Sequence, residues 1–189
     1  MNLHRLRGTR CYLVGPMDKC PNGGVQWRAE LTPWLNTFGV TVLDPTCKPI
    51  DICPETPVAR AYLEYLKKVG DYDSYSKEIK LLRCVDLRMV DISDFIIVHL
   101  DFQIPMFGTI EEITTANRSK KPILVHCQQG KQECSGWLFG MIPHSYVFDR
   151  WNHLKAYLSW INDNAAQGHD KRWYFFNFDI PKEALPPRN

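Results

Sequence analysis

Apolar residues along this chain gather in short runs that stop at turn formers, and between the runs they recur at helical spacing. Cys11-Tyr12-Leu13-Val14 is such a run, ended by Gly15-Pro16, the pattern of a buried strand. From Gln26 to Phe38 the residues Trp27, Leu31, Trp34, Leu35 and Phe38 follow one another at three and four, and Gly39 closes the segment; this predicts a helix with Pro33 inside it. Val40 to Leu43 reads as a second, β-branched strand. The loop after it, DPTCKPIDICPETP, holds too much proline for regular structure.

Val58 to Lys68 and Tyr75 to Val90 predict two helices separated by the turn Gly70-Asp71-Tyr72-Asp73, a helical insertion at about 58–90. Phe95-Ile96-Ile97-Val98-His99-Leu100 is continuous and not alternating, as expected of a central parallel strand covered on both faces. Gly108-Thr109 opens a helix to Ser119 that Lys121-Pro122 ends. Ile123-Leu124-Val125 is a fourth strand and Tyr146-Val147-Phe148 a fifth, before a helix from Trp151 to Asn162. Strands alternating with helices predict the α/β class: a doubly wound, Rossmann-like or flavodoxin-like parallel sheet of about five strands flanked by helices. The length fits one domain over residues 1–189. Its tail from about residue 171 is aromatic (Trp173, Tyr174, Phe175, Phe176, Phe178), then proline-rich, and is expected to pack on the domain or on a neighbouring subunit.

Composition narrows the class of function. Apolar residues make up 44% of the chain, which excludes an extended disordered protein. The 23 Lys+Arg against 21 Asp+Glu give a formal +2, too weak a field for a nucleic-acid polymer or a membrane surface as partner. The seven cysteines contain no C-x-x-C pair, so no zinc knuckle or redox motif is readable. The start, MNLHRLRGTR, lacks the apolar core of a secretory signal, and no run is long enough to span a membrane. These features predict a reduced, cytoplasmic domain that takes a small ligand.

In an open parallel sheet that ligand lies beyond the carboxyl ends of the strands. Three segments belong there: Gly15-Pro16-Met17-Asp18, Asp101 to Gly108, and His126 to Gly136. No G-x-G-x-x-G follows the first strand and no P-loop motif exists, so dinucleotide binding and P-loop triphosphate hydrolysis are both excluded. The chemistry that remains is carboxylate chemistry. Thr109-Ile110-Glu111-Glu112 matches a capping box, with Glu112 bonding back to the helix start. Asp86 reads as a solvated helix residue and Asp94 as a turn or cap. Spacing alone favours these structural readings. His99 and His126 lack a third ligand at metal spacing and read as hydrogen-bonded structural histidines; Cys127 and Cys134 read as ordinary thiols. No metal and no cofactor are expected. Ser135-Gly136-Trp137-Leu138-Phe139-Gly140 is too apolar for a free loop, hence core or lid.

A wider set of residues changes the weighting. Tyr12-Leu13-Val14-Gly15-Pro16, then Asp86-Leu87 eight residues before Asp94, then Phe95-Ile96-Ile97-Val98, then Gly108-Thr109-Ile110-Glu111-Glu112-Ile113 with Ala116 and Lys121-Pro122, resemble in order and spacing the nucleoside 2-deoxyribosyltransferase family. The resemblance runs from Tyr12 to about Val125 and is strongest to the longer phage and bacterial members, which carry Gly-x-x-Trp-Arg, here Gly24, Trp27 and Arg28. It implies that Glu112 is the nucleophile, Asp86 the base-binding residue and Tyr12 the residue that orients the nucleophile. Gly15, Pro16, Met17, Gly108 and Thr109 would line the substrate. An acidic residue that short-type members carry before the motif glycine is replaced here by Pro105-Met106-Phe107, so Asp101 or a neighbouring subunit would hold the sugar hydroxyls. The resemblance also implies a homo-oligomer with shared active sites, in which Ser135 and Trp137 act as a lid over a partner's pocket.

The chemistry supports these roles independently. Cleaving an N-glycosidic bond creates an oxocarbenium-like centre that a carboxylate can trap as an ester, and the departing base needs an acid, for which Asp86 is the candidate. A helix N-terminus would keep Glu112 anionic. The ester then passes its sugar to a second nucleobase or to water, and the apolar loop of Phe102, Ile104, Met106 and Phe107 would exclude water and lean toward transfer. Two other readings stay open. One is a nucleoside 5′-monophosphate N-glycosidase, with Lys19, Arg28 and Ser135 near the phosphate; the other is a non-catalytic nucleotide sensor.

Overall fold

Strands β1 (Arg10–Val14), β2 (Thr41–Leu43), β3 (Phe95–Leu100), β4 (Ile123–Cys127) and β5 (Val147–Phe148) pair in parallel throughout, in the order β2-β1-β3-β4-β5. The computed structural model describes residues 4–20, 22–48, 54–163 and 172–173. The apolar runs of β1, β3 and β4 are buried on both faces, and Tyr12 is paired in register with Ile96, and His99 with His126. The expected doubly wound sheet is therefore present.

Among the described residues six helices flank it: α1 (Val25–Asn36), α2 (Pro57–Val69), α3 (Tyr72–Ile92), α4 (Phe107–Arg118), α5 (Gly136–Met141) and α6 (Trp151–Asp163). Pro33 is tolerated inside α1 because it and Ala29, whose carbonyl loses its helical donor, are both exposed to water. Thr56 accepts from Ala59 N at 3.2 Å and Pro57 opens α2. Gly70, in the left-handed region at φ 77, closes α2, and Asp71 caps α3 by accepting from Ser74 N at 3.1 Å. The turn expected at Gly70 to Asp73 is thus a back-to-back pair of caps, and α3 starts three residues earlier than periodicity predicts.

The crossover rule orders the layers. β1 to β2 steps one way and β3 to β4 the other, so right-handed connections put α1 and α4 on opposite faces. Consistently, α3 packs on α4 and β1, whereas Trp151 of α6 stacks on Trp27 of α1 at 5.5 Å. The direction reverses between β1 and β3. That reversal opens the crevice at the carboxyl end of the sheet.

The tail begins on this domain. Arg172 donates to Asn117 Oδ1 at 2.6 Å and to the Met141 carbonyl at 2.8 Å, and Trp173 packs on Phe95. Tyr174, Phe175, Phe176 and Phe178 lie outside the described residues. Among the described residues no helix is long and apolar enough to cross a membrane.

Candidate active site

Tyr12 on β1 and Glu112 on α4 meet at the reversal point. The Tyr12 hydroxyl donates to Glu112 Oε1 at 2.6 Å, and both side chains are buried. The capping-box reading of Glu112 is overturned: α4 starts at Phe107 after Met106, with no side-chain cap, so Thr109 lies inside the first turn and Glu112 beyond it. The same shift removes Glu112 from the helix terminus expected to keep it anionic, because the dipole acts only within the first turn. Burial instead pushes the Glu112 carboxyl up to about 8; the Tyr12 hydrogen bond and the Arg28 charge oppose this, and the charges of Asp86 and Glu55 reinforce it. Burial and the neighbouring carboxylates hold the Tyr12 phenol well above its usual range, so it remains a donor.

Asp86 comes from α3 and is not solvated. Its Oδ1 lies 2.9 Å from Lys48 Nζ, which also sits 3.1 Å from Glu55 Oε1. Burial raises the Asp86 carboxyl and the Lys48 charge draws it back. The sequence reading assigned neither Lys48 nor Glu55. A signal was available: the end of β2 is also a carboxyl end next to the reversal, and the proline-rich segment there carries these charges.

Arg28 is fully buried. Its guanidinium donates to the carbonyls of Gly24 at 2.8 Å, Gly15 at 3.0 Å and Leu13 at 3.3 Å, and lies 3.7 Å from Asp44. It pins the loop after β1 to the strand end. Gly15 and Pro16 are buried and Met17 half-buried in that loop. A Cβ on Gly15 would come within 3.0 Å of the Trp27 ring and 3.2 Å of the His99 carbonyl, so only glycine fits without displacement. In the first turn of α4, Thr109 is buried, whereas Gly108 faces open space.

Other expected residues have partners outside this cluster. Asp101 Oδ1 accepts from Gln129 Nε2 at 2.6 Å and from Gln103 N at 3.0 Å, which ties the loop after β3 to the loop after β4. Ser135 caps α5 by accepting from Trp137 N at 3.2 Å. Lys19, on the surface, lies 4.0 Å from Glu64. Trp137 is 81% exposed, whereas Leu138, grouped with it as lid or core, is buried. Glu111 is a surface residue as expected, but it is paired: the Arg83 guanidinium donates to both its oxygens and holds its carboxyl below the ordinary range.

His99 and His126 face each other with Nδ1 atoms 3.0 Å apart, and His126 stacks on Trp151 at 4.2 Å. Burial lowers both imidazoles to about 4, so both are neutral and one donates to the other, as the structural reading expects. Among the described residues no group of three or more His, Cys, Asp or Glu side chains is placed to hold a metal ion.

No protein-family model matches this sequence, and no curated protein matches it. Solved structures do resemble it. A 2-deoxyribosyltransferase from the psychrotolerant bacterium Bacillus psychrosaccharolyticus superposes with a TM-score of 0.51 at 15% identity, over 77% of this chain and 90% of its own. A 2-deoxyribosyltransferase from Leishmania mexicana gives 0.50 at 18% identity, over 80% and 97%. A CMP N-glycosidase from Clostridium botulinum gives 0.44 at 15% identity, over 79% and 97%. At such identities the likeness is one of architecture, and the five-stranded parallel sheet with its flanking helices is the fold of the 2-deoxyribosyltransferases.

Proposed function

We propose that this protein cleaves the N-glycosidic bond of a deoxynucleoside through a glycosyl ester on Glu112 and transfers the 2-deoxyribosyl group to a second nucleobase. The observation that carries this reading is the buried Tyr12–Glu112 pair, 2.6 Å apart at the strand-order reversal. An oxygen of the Glu112 carboxylate attacks the anomeric carbon as the carbon–nitrogen bond breaks, and the electron pair leaves with the base. Attack by a ring nitrogen of the second base then breaks the ester and returns Glu112 as a carboxylate. Tyr12 fixes the Glu112 rotamer and Asp86 meets the base, while Gly15, Pro16, Met17, Gly108 and Thr109 line the sugar and base.

Transfer in preference to hydrolysis requires water to be kept from the ester. The apolar loop meant to do this is open in the single chain: Phe107 is 94% exposed. We infer that a second copy closes it, with Ser135 and Trp137 of that copy over the pocket and the sugar hydroxyls held by Asp101 or by the neighbouring chain.

The test is to incubate the protein with a deoxynucleoside and a second free base, and separately with the matching 5′-monophosphate, and to separate the products by chromatography. A new nucleoside is expected. Free sugar phosphate from the monophosphate alone would favour the hydrolase reading, and no product in either mixture the sensor reading. Arg28 is buried with three of its N–H groups on backbone carbonyls, which supports the transferase reading over a phosphate site there.

A further inference from the structure

Asp86 is backed by a charge that water does not reach. Lys48 Nζ lies 2.9 Å from Asp86 Oδ1 and 3.1 Å from Glu55 Oε1, and these three atoms are shielded from solvent. The Lys48 side chain is 2% exposed, although the residue belongs to a loop. Burial pushes the Lys48 ammonium down and the two carboxylates outweigh it, so Lys48 is the ammonium; burial raises the Asp86 carboxyl, and the ammonium 2.9 Å away draws it back to the carboxylate. The other ionisable groups whose charges couple with Asp86 are Tyr12 from β1, Arg28 from α1 and Glu112 from α4, with Glu55 beside Lys48. An ionised carboxylate has no proton to give. The tyrosine is bound to Glu112, the arginine to three carbonyls, and Glu112 must itself be ionised to attack; Lys48 is the proton-bearing group in contact with Asp86.

We propose that Lys48 acts through Asp86 as the proton source for the departing base. This rests on the reading that Asp86 meets the base. As the glycosidic bond breaks, the base nitrogen takes a proton from Asp86, and Asp86 takes one from Lys48 Nζ, which becomes the neutral amine. The charges balance: the Glu112 carboxylate becomes a neutral ester in the same step, so the local charge is the same before and after. In the second half the incoming base loses its N–H proton along the same path as it attacks, which restores the ammonium. A transfer cycle then needs no proton from bulk water, in keeping with a buried lysine.

Lys48→Arg separates this role from a structural one. Arginine keeps the charge and can pair with both carboxylates, but it does not give up its proton. The expected result is a folded variant, by circular dichroism and thermal melting, with kcat on ordinary deoxynucleosides lower by about 100-fold or more. Its kcat on an N7-methylated purine deoxynucleoside, whose base leaves without needing a proton, should change less than about threefold. If Lys48→Arg does not fold, the double variant Lys48→Gln/Glu55→Gln removes the proton source together with one stranded carboxylate, and the same selective loss is expected. Equal activity of variant and wild type on both substrates, or equal losses on both, overturns the proton-source role and leaves a structural lysine. A wild-type protein that cleaves neither substrate instead overturns the glycosidic reading itself.

Discussion

The Tyr12 hydroxyl and Glu112 Oε1, 2.6 Å apart, join residues one hundred positions apart in the chain, one on the first strand and one in the second turn of α4. The bond stabilises the charged form of a carboxyl that burial holds near 8. Tyr12→Phe removes it without changing the ring. A lost hydrogen bond to a charged group is worth about 1.5–3 kcal/mol, so kcat/KM at neutral pH should fall about 10- to 150-fold. The alkaline-rising limb of the pH profile should also move to higher pH, because the variant carboxyl is harder to ionise. A profile that drops uniformly without moving would reduce Tyr12 to a packing residue.

Glu112 itself should carry opposite effects on activity and stability. An acid whose folded-state value stands at about 8, against 4.5 for an ordinary glutamate, keeps its proton when folded over a range where the unfolded chain has lost it. Stability therefore falls as pH rises from about 4.5 to about 8, by an amount on the order of a few kcal/mol, and stays low above that. Glu112→Gln removes the titration. The variant should lose turnover entirely yet melt higher than wild type at pH 8.5, with the difference vanishing near pH 4. In the same series Glu111→Ala, which breaks only a surface pair with Arg83, should leave turnover nearly unchanged. Substantial activity in Glu112→Gln would end the covalent mechanism.

Arg28 belongs to the scaffold, and its substitution should show in stability. Its guanidinium satisfies three buried carbonyls and faces Asp44. Arg28→Met strands all of them, at a cost of about 3–5 kcal/mol. Arg28→Lys should recover little, because one ammonium cannot reproduce the planar fork. Urea unfolding gives the comparison, and a wild-type midpoint in Arg28→Met would show that the guanidinium serves a ligand and not the scaffold.

Much of this was readable from the pattern of residues and the rest was not, for identifiable reasons. Continuous apolar runs marked β1, β3 and β4 because both faces of those strands are covered. The fifth strand is shorter than predicted: Tyr146 sits in a turn whose amide bonds to the Pro143 carbonyl, leaving Val147 and Phe148 to pair. The capping pattern misled at Thr109 because the helix start is decided by where the chain leaves the β3 loop, which no local motif encodes. Arg28 was legible in hindsight, since Arg28, Leu31 and Leu35 fall at three and four on the buried stripe of α1. Lys48 and Glu55 had only their place after the carboxyl end of β2 to point to them. Lys48 meets both Glu55 and Asp86 of α3, a contact between segments that periodicity cannot see.

The last prediction concerns the assembly. Phe107 and Trp137, 94% and 81% exposed, begin helices that follow β3 and β4, so both stand at the carboxyl end of the sheet, where the crevice opens. On the proposed transfer reading, large apolar side chains left in water at that end of the sheet call for a cover, and a second copy of the same chain presenting Trp137 would meet that need. Light scattering at micromolar concentration should therefore give a multiple of 22.0 kDa. Trp137→Arg, which puts a charge in the middle of that contact while leaving Leu138 in the core, should shift the mass toward one chain and lower transfer relative to hydrolysis, with circular dichroism unchanged. A single 22.0 kDa chain that is fully active in transfer would show that each copy closes its own site and that the exposed tryptophan serves some other contact.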